Sequence, residues 1–191
     1  MRLRTLLAFT GTALLLTGSS LAYASPTPKI EEKSAFVALA PLDSPVFTKL
    51  SGEGWDDPKT GRIPNYLRAL ASTHPNAAPG LEHLFRTVLC GGTVSPNVKL
   101  AMGLRISQLN GCNYLTRHLL RLSKVLQGDQ AINPSSPAYR LGVLYAEHLT
   151  KAVRGVTDNE FMQARGVFND AEIVELTATT CFFNFFSRFC T

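Results

Sequence analysis

The chain has 191 residues and four cysteines, and 45% of its residues are hydrophobic against 17% charged, enough to bury the core of one ordinary domain. Its formal charge is +5, and loss of an N-terminal segment carrying Arg2 and Arg4 but no acid lowers this to +3. That weak, scattered basic balance argues against nucleic-acid binding.

The N-terminus reads as a signal peptide over residues 1–24. Arg2 and Arg4 form a positive start, an apolar run extends from Leu6 to Leu16, and Ala22-Tyr23-Ala24 gives a small-x-small cleavage pattern. The run is short for a bilayer span, and no later stretch is long and apolar enough to supply one. The expected location is therefore secreted or periplasmic, with no stable membrane span after cleavage. Residues 25–59 are expected to be an N-terminal arm and loops. From Pro41 to Pro64 the segments PLDSP, SGEGWDDPKTG and IPN mark turns, and Trp55 is read as a cover over the core.

Beyond Pro64 the pattern becomes helical. YLRALAS ends near His74-Pro75. Residues 79–90 place apolar side chains at 81, 84, 85, 88 and 89, a spacing of about 3.6 residues, and Gly91-Gly92 ends that helix. Ser95-Pro96 supplies an N-cap and a first-turn proline for a helix to about Leu109. The next helix is predicted from Cys112 to Leu126, after a break at Gly111. Ser136-Pro137 starts another, running through Val153, and Thr157…Glu160 and Asn169…Glu172 have the spacing of capping boxes. No segment alternates like a strand. The predicted fold is all-α, an antiparallel helical bundle. The last helix carries Phe182, Phe183, Phe185, Phe186 and Phe189, too many for one stripe. It is read as either a central core helix or a subunit interface, and the interface is favoured because terminal helices are rarely central.

An exported chain with Cys90, Cys112, Cys181 and Cys190 has an even count that permits two disulfides. The spacing is neither CxxC nor that of a zinc site, and the histidines are dispersed. Cys112 and His118 stand six apart in NGCNYLTRHLL. At about 100° per residue, position 118 lies roughly 120° from Cys112 around a helix, while Leu119 lies within roughly 20° of it. Leu115, Leu119 and Leu122 continue the face of Cys112, and His118 shares a face with Tyr114 and Arg121.

The stretches IPNYLRALASTHPNA, GGTVSPNVKLAMGLRISQLNGCNYLTRHLL and FNDAEIVELTATTCFFNFFSRF resemble the carboxymuconolactone decarboxylase / alkylhydroperoxidase D-like family over residues 60–191. The resemblance implies an all-α bundle of the alkylhydroperoxidase D-like type that assembles as a homo-oligomer, a trimer or hexamer. It also implies hydroperoxide reduction by a CxxC pair, with a histidine four residues after the second cysteine and a glutamate twelve before the first. Carried over, the first cysteine is Cys112, the second falls on Leu115, the histidine on Leu119 and the glutamate on Leu100. His118 is one residue out of register.

Cys112 is open to three readings: a buried structural thiol, a disulfide partner (Cys90 being the first choice), or a reactive cysteine. A start near a helix N-terminus after Gly111 favours the thiolate, and burial among leucines opposes it. Peroxide chemistry would use Cys112 and His118 as catalytic residues. Proton-transfer chemistry on a small organic acid would draw on His118, His83 and Arg105, the last two as ligand-binding candidates. A non-catalytic oligomeric scaffold or small-ligand-binding protein is the alternative. No cofactor is implied. Glu147-His148 is read as a solvated face, and Arg105 as an ion-pair partner before a ligand contact.

Overall fold

A computed structural model describes residues 37–48, 63–126, 133–152 and 154–191. The expected signal peptide, most of the N-terminal arm and Trp55 lie outside these residues. Those described form eight helices and no strand: α1 Pro45–Thr48, α2 Asn65–Thr73, α3 Ala78–Cys90, α4 Pro96–Leu109, α5 Asn113–Leu126, α6 Pro137–Lys151, α7 Asp158–Arg165 and α8 Asp170–Phe189. The short α1 falls in a region expected to be loops only.

The helix starts follow from their caps. The Ser95 hydroxyl accepts from the Asn97 N–H at 3.3 Å, and the Ser136 hydroxyl accepts from the Tyr139 N–H at 3.2 Å. Each precedes a proline, whose missing N–H is one the first turn cannot pair anyway. Both capping boxes are closed. Glu160 accepts the Thr157 N–H at 2.9 Å, and Glu172 accepts the Asn169 N–H at 2.9 Å.

α4 is the hub, packed against α3, α5, α6 and α8. Its sequence explains why. Val98 through Gly103, then Ile106 and Ser107, are buried, so the helix is enclosed around most of its circumference. Gly103 lets α8 close in, since a β-carbon there would stand 2.8 Å from Phe183 Cζ. α8 is therefore a core helix along this face, one of the two readings of its aromatic run. Phe182, Phe183 and Phe186 are buried against Phe85, with ring centroids 5.1–6.2 Å apart, while Phe185 and Phe189 stay exposed and stack on each other at 6.1 Å. A terminal helix becomes central here because α4, α6 and α3 all pack on it.

One charged side chain is sunk into this core. Lys99 is 1% exposed, and its ammonium donates to the Gly91 carbonyl and pairs with Glu175 of α8. Glu175 also accepts the backbone N–H groups of Thr93 (3.0 Å) and Val94 (3.2 Å). Gly92 has a φ of +77°, and a β-carbon at that position would collide with the Glu175 carboxylate. The α3–α4 turn is thus built around one carboxylate from α8.

Candidate functional site

The α4–α5 junction places Cys112. After α4 the chain turns through Gly111, which takes a φ of +68°, a conformation that favours glycine. Cys112 is the residue before α5. Its sulfur accepts the Leu115 N–H at 3.5 Å, so it occupies a cap position at the start of the helix. Hydrogen bonds from its own N–H to the Ser107 carbonyl (2.9 Å) and from the Thr116 hydroxyl to its carbonyl (3.0 Å) hold it there.

The apolar face follows the predicted geometry. Cys112 is 2% exposed, and Leu115, Leu119 and Leu100 are fully enclosed. The positions where a second sulfur, an imidazole and a carboxylate would serve the dithiol mechanism are therefore filled with packed hydrocarbon.

His118 lies on the neighbouring face and is enclosed by rings. Its centroid is 5.7 Å from Tyr66, 5.9 Å from Phe85 and 6.5 Å from Tyr114, the last nearly parallel at 6°. Nε2 is buried and has no hydrogen-bond partner among the described residues, so it makes no hydrogen bond to the Cys112 sulfur. Burial, with the nearby Arg121 charge second, lowers the His118 pKa from 6.5 to about 4, and the ring is neutral at pH 7.

Tyr66 joins His118 to a buried acid. Its hydroxyl donates to Glu82 Oε2 at 3.1 Å, and Arg86 Nε donates to Glu82 Oε1 at 2.9 Å. The Tyr66 N–H donates to the Tyr114 hydroxyl at 3.4 Å. Burial, followed by the Glu82 charge, pushes the Tyr66 hydroxyl well above its ordinary range, and burial pushes Tyr114 up to about 12. Both hydroxyls are therefore protonated, and that of Tyr66 donates to Glu82. Glu82 was passed over in the sequence in favour of its neighbour His83. The available signal was Arg86, one turn on, which marks a paired acid.

The remaining candidates lie apart from this cluster. His83 is exposed on α3. Arg105 Nε donates to Glu147 Oε2 at 2.7 Å, and Glu147 also pairs with Lys151. The Arg105 and Lys151 hydrogen bonds hold Glu147 down at about 2. His148 Nδ1 lies 2.7 Å from Glu160. Among the described residues no group of three or more His, Cys, Asp or Glu side chains converges to hold a metal ion.

The expected disulfide is not formed, as all four cysteines are free thiols. Cys90 is exposed at the end of α3, beside Lys99 and Arg86 rather than Cys112. Instead, the thiol whose ionisation Cys112 influences is Cys190, the C-cap of α8. Helix edges adjacent in sequence suggested Cys90, whereas the long α8 returns its own end to the α4–α5 junction.

No family model and no curated protein matches the sequence. Among solved structures, an uncharacterized peroxidase-related protein from Silicibacter sp. TM1040 is similar, with a TM-score of 0.61 and 22% identity. The match covers 83% of this chain and 90% of that one. The two share an all-helical fold.

Proposed function

We propose that this is an exported, alkylhydroperoxidase-like thiol protein whose reactive centre is Cys112, and that it has lost the family's efficient dithiol cycle. The observation that carries this reading is the Cys112 sulfur at the start of α5, accepting the Leu115 N–H. A sulfur in this position faces the backbone N–H groups that the first turn of a helix leaves unpaired. The sulfur attacks the O–O bond of a hydroperoxide, the alcohol leaves, and Cys112 becomes a sulfenic acid. The leucine wall makes the reaction slow, because peroxide enters only when Leu115 and Leu119 give way, and with no reductant to return the sulfenic acid to the thiol it is stoichiometric. The similar structure, a peroxidase-related protein, supports the class of chemistry. The signal-like N-terminus supports export, and the exposed Phe185–Phe189 edge of α8 supports assembly into a homo-oligomer.

Incubation of the reduced protein with cumene hydroperoxide tests this. The wild type should consume peroxide in proportion to protein, and Cys112→Ser should lose most of that consumption. Equal consumption by the two proteins would remove Cys112 from the chemistry.

A second reading is favoured by the unpaired Nε2 of His118 inside its aromatic cage. Here the cluster holds a small organic ligand, with the Tyr114 hydroxyl as donor and His118 uncharged. In this reading Cys112 is a packing residue, and His118→Phe abolishes ligand binding without altering thiol reactivity.

A further inference from the structure

Cys112 has no second sulfur within its own helix, yet the fold supplies one from the other end of the domain. Asn110, two residues before Cys112, donates through Nδ2 to Ser187 Oγ at 2.7 Å and to Asn184 Oδ1 at 3.0 Å. These bonds dock the last turns of α8 onto the α4–α5 junction. Tyr66 reinforces the docking, with its ring 4.8 Å from Phe186 and its N–H on Tyr114, the second residue of α5. Cys190 follows Ser187 by three residues, about one helical turn, and so continues the docked face. It packs against the core cluster that contains Cys112. It is also the C-cap of α8, at the point where the helix ends.

We propose that Cys112 and Cys190 are an intramolecular dithiol pair that converts reversibly to a disulfide by exchange with an external disulfide. The substrate class is a low-molecular-weight or protein disulfide. The half-buried Cys190, as thiolate, attacks one sulfur of the external disulfide; a mixed disulfide forms and one external thiolate leaves. The Cys112 thiolate then attacks the Cys190 sulfur, the protein S–S bond forms, and the second external thiolate leaves. Two protein thiols are oxidised, the external disulfide is reduced to two thiols, and the two protons pass through solvent to those products. The closed bridge ties the C-terminal end of the core helix α8 to the start of α5. The inference does not depend on the peroxide reading, since exchange uses no peroxide.

Alkaline conditions favour the first step. Burial and the neighbouring Cys112 thiol push the Cys190 thiol well above its ordinary range.

The test uses the full chain with Cys90→Ser and Cys181→Ser, incubated at pH 8.5 with oxidised glutathione and read by intact mass and non-reducing peptide mapping. The expected product has lost two hydrogens and carries a Cys112–Cys190 cross-linked peptide. With Cys112→Ser added, a glutathione adduct on Cys190 should accumulate unresolved. Persistent adducts in the protein that keeps both thiols would overturn the proposal. So would the absence of any bridge while folded, when both thiols titrate after unfolding in denaturant, or bridges that form only between chains.

Discussion

Replacing Glu175 with alanine is expected to destabilise the fold by about 3–5 kcal/mol, the range for breaking one side of a buried ion pair. Lys99 would keep its ammonium in a core where its side chain is 1% exposed, with the Gly91 carbonyl as its remaining hydrogen-bond acceptor. The Thr93 and Val94 N–H groups would lose their acceptor as well. Urea unfolding followed by circular dichroism measures the loss as a lowered midpoint with an unchanged slope. The combined Lys99→Met and Glu175→Gln variant should recover much of it, because the charge is gone and the glutamine oxygen still accepts from the α3–α4 turn. An Ala variant as stable as the wild type would mean the pair is solvated in solution.

The same carboxylate gives an acid limb to stability. Burial raises the Glu175 pKa, but the hydrogen bonds from Lys99, Thr93 and Val94 outweigh it and the net shift is downward. A depressed carboxylate pKa stabilises the fold above the unfolded-state value, and that contribution is lost as pH falls through the folded-state value.

The second large effect belongs to His118. Its folded-state pKa is about 4 against an ordinary 6.5, so between these values the unfolded chain binds a proton that the folded chain refuses. Stability should therefore be full above about pH 6.5 and fall as the pH drops toward 4. At roughly 1.4 kcal/mol per unit the total is about 3 kcal/mol. His118→Phe keeps a ring between Tyr66, Phe85 and Tyr114 and cannot take up a proton. It should flatten the stability profile between pH 6.5 and 4 while leaving the Glu175 limb. A variant with the slope of the wild type would show that solvent reaches His118 and that its burial is not maintained in solution.

The sequence made the helices legible because their punctuation is chemical. Ser95-Pro96 and Ser136-Pro137 start helices, the Thr157 and Asn169 boxes close as spaced, and Gly91 and Gly111 fall in breaks. The leucine face beside Cys112 was equally legible, since helix rotation is a local property. Long-range placement was not. Lys99 resembles any lysine until α8 brings Glu175 to it. Cys190 is separated from Cys112 by most of the C-terminal half of the domain, and nothing local to either position points to the other. The core side of α8 was not legible for the same reason. Phe182, Phe183 and Phe186 are buried among neighbouring helices while Phe185 and Phe189 stay exposed, and the periodicity of one helix cannot count its partners.

Site-resolved trapping of sulfenic acid decides whether Cys112 is a reactive thiol in the folded protein. The reduced Cys190→Ser variant would be treated with cumene hydroperoxide in the presence of dimedone and mapped by mass spectrometry. Removing Cys190 prevents the sulfenic acid from being consumed by bridging. Cys90 is a useful internal reference, because burial pushes its thiol up more than Lys99 and Arg86 pull it down. A dimedone adduct on Cys112 is expected while the protein remains folded. Adducts confined to Cys90 and Cys181, with Cys112 labelled only after unfolding, would contradict it and leave Cys112 as a packing residue beneath the leucines.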